Sequence, residues 1–559
     1  MTAPSAPSAL KDSFARDLLP PRELWPKIDF SGLPELASYP PRMNAAVELL
    51  DRTLDRGWGD RPAILFDGHT WSYRRLKETA DRIARVLVED MGLISGNRVL
   101  LRAPNNPMLV ASWFAVLKAG GIAVTTMPLL RARELTFMLN RVAIRHALCD
   151  IRLADDMEAA AKSAAHVVTV AYFSAEGENP AGDPDLDRRL RSKPAGFANC
   201  DTSADDMALI AFTSGTTGQP KGTMHFHRDV LAITDCFPRY VSGVDGSDIF
   251  CGSPPLAFTF GLGALTLFPM RFGAAVALLE KPAPDLLLDT IQRTRATVLY
   301  TAPTAYRAMS GMVSRFDLKS LRKSVSAGEH LPKPTFEAWQ RATGIGIIDG
   351  LGATEMLHIF VSAAGSDIRP GATGKAIPGY QACIVDDETN PLPPGSIGRL
   401  AVRGPTGCRY IDDIERQKIY VRRGWNLTGD VYEMDRDGYF WHQARADDMI
   451  ISAGYNISGP EVENILLDHP KVGECAVIGV PDADRGQIVK AFIVLREAKD
   501  AAPGTVKLLQ DYVKAQIAPY KYPRAIEFVA ALPRTETGKL QRFKLREQEK
   551  AKVAPESRP

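Results

Sequence analysis

The hydrophobic pattern of the first 350 residues alternates between short apolar runs and longer stretches with apolar positions at helical spacing. Residues 99–102 predict a buried strand, residues 109–118 a helix and residues 122–126 a second strand. Residues 283–295 and 297–301 repeat the order of helix and strand. Strands that are connected by helices in this way are typical of a parallel sheet.

Two further stretches of this region carry their own local expectations. The polar stretch 179–206, which is rich in Pro, Asp, Arg and Ser, predicts a loop between two α/β units. The run 207–212 predicts a strand, and a helix is expected to begin at Met224.

The pattern changes after residue 370. Between residues 371 and 439, short β-type runs are separated by Gly and Pro, as in 397–403 and 430–434, and they predict a small β-rich subdomain. Beyond residue 447 a compact α+β pattern follows, with elements predicted at 461–467, 474–480, 491–496, 506–517 and 525–529. The sequence therefore predicts two domains, residues 1–445 and residues 446–559.

Composition narrows the class of protein. The chain has 559 residues, 45% of them apolar, and a formal net charge of only +2, so no global field favours nucleic acid or a membrane surface. Seven widely spaced cysteines suit reduced thiols in a cytoplasmic protein. The first 17 residues lack the pattern of a secretory signal, and the apolar stretch 254–270 is too short and too rich in Pro and Gly to span a membrane. We expect a cytoplasmic protein and make no prediction of its oligomeric state.

A loop of small hydroxyl residues, glycines and one lysine follows the strand-like run 207–212. Its candidate phosphate-binding residues are Thr213, Ser214, Gly215, Thr216, Thr217, Gly218 and Lys221. Glycines allow backbone N–H groups to approach an anion, and the hydroxyls and the lysine add further donors. The Gly-Lys-Ser/Thr order of a P-loop is absent, because the chain reads Pro220, Lys221, Gly222.

On these residues the chain resembles the adenylate-forming superfamily, which contains acyl-CoA synthetases, luciferases and the adenylation domains of peptide synthetases. The resemblance covers residues 45–545. It implies an α/β fold, with a large N-terminal domain of two doubly wound α/β subdomains plus a distorted β-barrel and a small mobile α+β C-terminal domain. It also implies ATP, Mg²⁺ and coenzyme A as cofactor and co-substrates.

Further motifs match the family in order and spacing. By resemblance, the ATP-binding residues are Gly328, Glu329, His330, Asp349, Gly350, Leu351, Gly352, Thr354, Asp430, Arg445 and Lys539. Among them, residues 328–330 match the segment that lines the adenine, and Asp430 and Arg445 match residues that approach the ribose. Glu355 is expected to hold Mg²⁺, and a single carboxylate beside phosphate oxygens suits that ion. Thr354, Glu355 and Lys539 are the expected catalytic residues. A free carboxylate is a poor electrophile, so these groups would first convert it into an acyl-adenylate.

The resemblance also assigns residues to the later step and to the carboxylate. Asp447 corresponds to the family's hinge, and Gly454 and Tyr455 lie in the stretch that would receive CoA. Residues 255–263 and 355–360 resemble the pocket walls of benzoate-CoA ligases. The expected carboxylate contacts are Phe258, Thr259, Phe260, Gly352, His358 and Ile359.

The substrate prediction is an aromatic carboxylate. In the benzoate subgroup the positions of Thr259 and Phe260 are typically alanine and tyrosine, so the pocket gains one hydroxyl and loses another, which favours 2-aminobenzoate. Benzoate, another acyl substrate such as a fatty acid, and a sensor that binds nucleotide without turnover remain open. A peptide-synthetase adenylation domain is disfavoured, since residues 256–263 contain no acid to meet an α-ammonium group.

Overall fold

A computed structural model of the chain describes residues 6–177, 184–213, 220–445, 448–452, 455–482, 485–517, 519–535 and 540–553. The strands are β1 (Pro62–Phe66), β2 (His69–Ser72), β3 (Arg98–Arg102), β4 (Ile122–Thr126), β5 (His146–Asp150), β6 (Thr169–Phe173), β7 (Met207–Thr213), β8 (Lys221–Phe226), β9 (Ile249–Gly252), β10 (Ala275–Ala277), β11 (Val298–Thr301), β12 (Lys323–Ala327), β13 (Ile347–Gly352), β14 (Ile359–Ser362), β15 (Lys375–Ala376), β16 (Gln381–Val385), β17 (Ile397–Arg403), β18 (Val421–Arg422), β19 (Trp425–Met434), β20 (Phe440–Arg445), β21 (Ile450–Ser452), β22 (Tyr455–Ile457), β23 (Val472–Asp482), β24 (Gly486–Leu495) and β25 (Ala525–Phe528).

The α-helices are α1 (Phe14–Asp17), α2 (Pro34–Ala37), α3 (Arg52–Asp55), α4 (Tyr73–Arg85), α5 (Pro107–Lys118), α6 (Ala132–Arg141), α7 (Ala154–Ser163), α8 (Asp185–Ser192), α9 (His227–Asp235), α10 (Phe237–Tyr240), α11 (Thr259–Leu262), α12 (Phe268–Phe272), α13 (Pro284–Thr294), α14 (Pro303–Ser310), α15 (Lys333–Thr343), α16 (Ile414–Tyr420), α17 (Gly459–Asp468), α18 (Pro503–Gln516) and α19 (Arg542–Val553). Within the described ranges, no helix is long and apolar enough to cross a lipid bilayer.

The first α/β unit is built on a sheet with the strand order β6-β5-β3-β4-β7-β8. Its strands run parallel except for β8, which pairs antiparallel with β7. Every residue of β3 is buried, as the continuous apolar run predicts for a central parallel strand. Helix α5 covers the predicted residues 109–118 but begins earlier, at Pro107, because the Asn106 side chain accepts a hydrogen bond from the Leu109 N–H at 3.0 Å and Pro107 occupies the first turn.

The second α/β unit is built on a larger sheet with the order β15-β14-β13-β12-β11-β9-β10-β1-β2. Its central strands β9 to β13 are parallel, and the antiparallel strands β2, β14 and β15 lie toward its two edges. The predicted helix–strand pair at 283–301 is confirmed as α13 and β11. Together the two units confirm the predicted doubly wound α/β architecture.

The predicted β-rich subdomain corresponds to an antiparallel sheet of β16 to β20. After it, β23 and β24 pair antiparallel, β25 joins β24 in parallel, and α17 and α18 contribute Val462, Leu466, Leu509 and Val513 to their own hydrophobic cluster. This separate cluster agrees with a small C-terminal α+β unit. The exact boundary between residues 445 and 446 stays a prediction.

Two local expectations are wrong. Met224 lies in β8, and the helix begins at His227 instead. The reason is tertiary: β8 pairs with β7 along one edge, while Met224 donates to the Arg409 carbonyl at 2.9 Å along the other. The predicted loop 179–206 contains helix α8, whose Leu186 and Leu190 are buried against the first unit.

Candidate active site where three sheets meet

Two of the predicted ATP-binding motifs lie side by side at the carboxyl ends of parallel strands. Gly328, Glu329 and His330 directly follow β12, and residues 349–352 form the end of β13. The register pairs Ser326 with Asp349 and Ala327 with Gly350, so the two motifs emerge at the same edge. In open α/β sheets, ligands bind outside this edge.

Buried polar groups without partners mark the region expected to hold adenine. The Asp349 Oδ1 and both ring nitrogens of His330 have no hydrogen-bond partner among the described residues. Burial raises the pKa of Asp349 to about 8 and lowers the pKa of His330 to about 4. The His330 ring stacks on His442 with ring centroids 5.0 Å apart. A planar base with donors and acceptors on its edge would satisfy these groups.

The expected metal-binding carboxylate is held by a tyrosine from a distant segment. The Tyr410 hydroxyl donates to Glu355 Oε1 at 2.5 Å, and burial together with the Glu355 charge raises the pKa of Tyr410, which keeps it a donor. Next to Glu355, the Thr354 carbonyl accepts a hydrogen bond from His225 Nε2 at 2.8 Å. Glu355 thus sits where β8, β13 and the segment before α16 meet.

Lys221 lines a cavity together with Tyr410, the residue that holds Glu355. The cavity has a volume of about 450 Å³ and is also lined by Arg141 and Arg416. The cation at the end of the predicted phosphate loop is therefore close to the tyrosine that holds Glu355. A cation and a carboxylate that can bind a divalent ion are the groups a triphosphate requires, and Mg²⁺ commonly takes one or two carboxylates plus phosphate oxygens.

A buried ion pair fixes the segment that carries Tyr410. Arg409 Nη1 donates to Asp229 Oδ2 at 2.9 Å, and both side chains are fully buried. The Arg409 guanidinium also lies over the rings of Phe226 and Trp25, at 4.2 and 4.8 Å from their centroids. Backbone bonds join Met224 to Arg409 and Gly222 to Ile411, which places Tyr410 beside β8. The site residues predicted from the sequence do not include Arg409, Asp229, His225 or Tyr410.

The two residues expected near the ribose are cross-strand neighbours. Asp430 in β19 pairs with Arg445 in β20 in the antiparallel register. Residues that face each other in this way lie about 5 Å apart. Their assignment to the ribose stays a prediction.

The expected carboxylate residues converge on His358. Its Nε2 lies 3.4 Å from the Phe260 carbonyl, and its ring centroid is 4.5 Å from Phe268, 5.7 Å from Phe260 and 6.0 Å from Phe237. Burial lowers the pKa of His358 to about 3, so the imidazole is neutral. Since the Phe260 carbonyl only accepts, Nε2 carries the proton and Nδ1 is an acceptor, for which the described residues offer no donor.

Two backbone features hold His358 in place, at Gly263 and at Leu357. Both positions lie in the segments 255–263 and 355–360, which are predicted by resemblance to form the pocket walls. A Cβ on Gly263 would lie 2.3 Å from His358 Cδ2, so only glycine leaves room for the ring. Leu357 has a φ of +70°, a rare value for a residue with a branched side chain, and this bend separates the short helix at residues 354–356 from β14. Thr259 and Ile359 are buried nearby, and Phe258 is half-buried.

Several predicted site residues lie outside the described residues. They are Ser214, Gly215, Thr216, Thr217, Gly218, Asp447, Gly454 and Lys539; for Thr213, Arg445 and Tyr455 only the backbone is described. The flanks of Lys539 are defined, since Arg534 and Leu540 form a β-bridge and Arg534 Nη1 lies 3.8 Å from Glu329 Oε1. The segment that carries Lys539 therefore starts beside the expected adenine motif. The assigned roles of all these residues stay predictions.

Comparison with known proteins identifies the family. Residues 51–409 match the AMP-binding enzyme family, and residues 461–539 match the C-terminal domain of AMP-binding enzymes. The chain belongs to the AMP-binding enzyme family. The predicted membership in the adenylate-forming superfamily is thereby confirmed.

Relatives within this family place the AMP-binding enzyme among aryl-CoA ligases. It is 33% identical to the benzoate–CoA ligase of Thauera aromatica, over 93% of this chain and 98% of that one. A crystal structure of an anthranilate CoA ligase with anthranoyl-AMP superposes with a TM-score of 0.86 at 34% identity, covering 92% and 99% of the two chains. A benzoate CoA ligase from Burkholderia xenovorans LB400 superposes with a TM-score of 0.81 at 30% identity, covering 90% and 100%. The predicted AMP-forming acid–thiol ligase of the aryl-CoA type is confirmed.

Proposed function

We propose that this enzyme activates 2-aminobenzoate with ATP and transfers the acyl group to CoA, releasing AMP and pyrophosphate. The proposal of 2-aminobenzoate as the substrate rests on the neutral His358. Its Nδ1 is a buried acceptor for which the described residues offer no donor, and it lies in an aromatic surround that suits a planar ring. An ortho-amino group supplies an N–H donor, whereas benzoate supplies none. The similar fold of an anthranilate CoA ligase supports the same choice.

In the first half-reaction, a carboxylate oxygen attacks the α-phosphorus of ATP and pyrophosphate leaves. We assign Glu355 to hold Mg²⁺, which when bound neutralises charge on the phosphates. Tyr410 orients Glu355 through the 2.5 Å hydrogen bond, and Lys221 and Lys539 supply positive charge to the phosphates and the carboxylate. In the second half-reaction, the CoA thiolate attacks the acyl carbon and AMP leaves. We further infer that the enzyme works in the cytoplasm.

The test of the reaction is carboxylate-dependent exchange of labelled pyrophosphate into ATP, followed by detection of the thioester after CoA is added. Exchange that depends on an aromatic acid and on Mg²⁺ is expected. A protein that binds ATP but never yields AMP with any aromatic acid would be a nucleotide sensor, and the proposal would be wrong.

The test of the substrate compares kcat/KM for 2-aminobenzoate, benzoate and 2-hydroxybenzoate in the wild type, His358→Phe and Thr259→Ala. His358→Phe keeps an aromatic ring but removes the acceptor. We expect the ratio of 2-aminobenzoate to benzoate to fall about tenfold in His358→Phe, since one buried hydrogen bond is worth about 1 kcal/mol or more. An equal loss for both acids, or benzoate as the preferred wild-type substrate, would favour a benzoate-CoA ligase instead.

A further inference from the structure

The loop that follows β3 in the first α/β unit is attached to the expected carboxylate pocket of the second unit. Asn105 Nδ2 donates to the Pro254 carbonyl at 3.0 Å, and its Oδ1 accepts a hydrogen bond from the Leu256 N–H at 2.8 Å. Asn105 is only 5% exposed, and Leu256 is buried as well. One side chain of the first unit therefore pairs with the backbone on both sides of Pro255.

The turn that Asn105 holds is also fixed from within the second unit. The Ser253 N–H donates to the Tyr300 carbonyl of β11 at 3.1 Å. The next two residues are prolines, which have no N–H to contribute. The amide of Asn105 suits the other side of the turn, because it offers a donor to a carbonyl and an acceptor to an N–H at the same time.

The position of Asn105 is fixed in turn by its neighbour. Asn106 Nδ2 donates to Asp150 Oδ2 and to Glu280 Oε1, both at 3.1 Å. Asp150 ends β5 in the first unit, and Glu280 follows β10 in the second. Arg152 Nη2 binds the same two carboxylates, each at 2.6 Å. The loop after β3 is therefore joined to both units, which gives Asn105 a defined place.

Helix α11 rests directly on the turn that Asn105 holds. The Phe258 N–H donates to the Pro255 carbonyl at 3.0 Å, just before α11 begins. A Cβ on Gly261 would overlap the same carbonyl, so the helix and the turn are in close contact. The Phe260 carbonyl of α11 is the group that faces His358 Nε2 at 3.4 Å. Because protein interiors are closely packed, a displaced turn would displace α11 and this carbonyl.

We propose that Asn105 is a positioning residue for the carboxylate pocket: it holds residues 254–256 and thereby sets the place of α11. The inference rests on the assignment of α11 to the carboxylate pocket in the proposed function. Asn105 acts through the backbone of the turn, and a small displacement of the groups around the acid weakens its binding and alignment. The expected adenine motifs follow β12 and β13 instead, so loss of Asn105 affects the acid and not ATP.

Pyrophosphate exchange tests the inference in Asn105→Ala and Asn105→Asp, with the aromatic acid that has the highest kcat/KM in the wild type. Asn105→Ala leaves the Pro254 carbonyl and the Leu256 N–H without their partner. We expect the KM for the acid to rise at least about fivefold, while the KM for ATP stays within about twofold. Asn105→Asp keeps the shape and the acceptor but turns an oxygen toward the Pro254 carbonyl, so it is expected to raise the same KM.

The matched control is Asn44→Ala. Asn44 is also 5% exposed, and its Nδ2 donates to the Leu117 and Cys200 carbonyls at 2.8 and 3.2 Å, in the first unit and away from α11. Its replacement likewise leaves buried backbone groups unpaired, so a smaller amount of active enzyme is expected, with both KM values unchanged. A purely structural role of Asn105 would give this same pattern.

Three results would overturn the inference: an unchanged KM for the acid in the Asn105 variants, an equal rise in the KM for ATP, or an equal rise in the KM for the acid in Asn44→Ala. Phe260→Ala, a change in α11 itself, is measured beside them and is expected to raise the KM for the acid. If it does and the Asn105 variants do not, only the role of Asn105 is refuted. If Phe260→Ala also leaves that KM unchanged, the carboxylate pocket of the proposed function is wrong.

Discussion

At the residue scale, the hydrogen bond from Tyr410 to Glu355 is the contact on which we expect Mg²⁺ binding to depend. The bond is short, 2.5 Å, and its acceptor is a carboxylate, so its loss is expected to cost about 1.5–3 kcal/mol. We predict that Tyr410→Phe raises the Mg²⁺ concentration for half-maximal pyrophosphate exchange at least about tenfold. The matched control is Tyr439→Phe, because the Tyr439 hydroxyl donates to the Asp367 carbonyl, away from Glu355. An unchanged Mg²⁺ dependence in Tyr410→Phe would show that Glu355 needs no such support.

Only one of the two residues in this contact could be predicted from the sequence. Glu355 is recognisable from its motif, because residues 349–355 are contiguous along the chain. Tyr410 is 55 positions away and reaches Glu355 only because residues 409 and 411 exchange backbone hydrogen bonds with β8. No local spacing encodes that pairing. The bend at Leu357 and the close approach of Gly263 to His358 are tertiary in the same way, although Gly263 stands inside a segment that the sequence singles out.

At the element scale, the Arg409–Asp229 pair joins α9 to the segment that carries Tyr410. Asp229 also accepts a hydrogen bond from the Phe226 N–H at 3.0 Å, so it caps the start of α9. We predict that Arg409→Met lowers the free energy of unfolding of the N-terminal units by about 3–5 kcal/mol, because it leaves a buried carboxylate unpaired. The measurement is urea unfolding followed by tryptophan fluorescence.

The control for this pair is Arg293→Met, which breaks an exposed ion pair with Asp289 in α13 and is expected to cost less than about 1 kcal/mol. Equal midpoints for the two variants would contradict the role given to Arg409.

The strands and helices themselves were largely predictable, since β4 and β17 coincide with the expected runs. The prediction of a helix at Met224 was wrong because β8 is buried along most of its length, and such a pattern does not distinguish a strand from a helix. The backbone pairing along both edges of β8 determines that the segment is a strand.

At the scale of the whole molecule, we expect the two predicted domains to divide the reaction. The N-terminal units carry Glu355 and His358, while the C-terminal unit carries Lys539. Because Arg534 lies 3.8 Å from Glu329, this arrangement brings the segment before Lys539 to the edge that holds the ATP motifs. Lys539 should therefore act in adenylation and not in thioester formation.

We predict that Lys539→Ala slows adenylation at least ~100-fold, which corresponds to about 2.7 kcal/mol of barrier, because a positive charge is lost where negative charge develops. Thioester formation from supplied 2-aminobenzoyl-AMP and CoA is expected to stay within about twofold of the wild type, since that step breaks a different bond. Single-turnover measurements separate the two half-reactions. The matched control is Lys544→Ala, which removes a lysine from α19, the helix that follows Lys539 in the chain, and should change neither rate. If Lys539→Ala slows both half-reactions equally, the lysine supports the structure of the C-terminal unit and the division of labour between the domains is wrong.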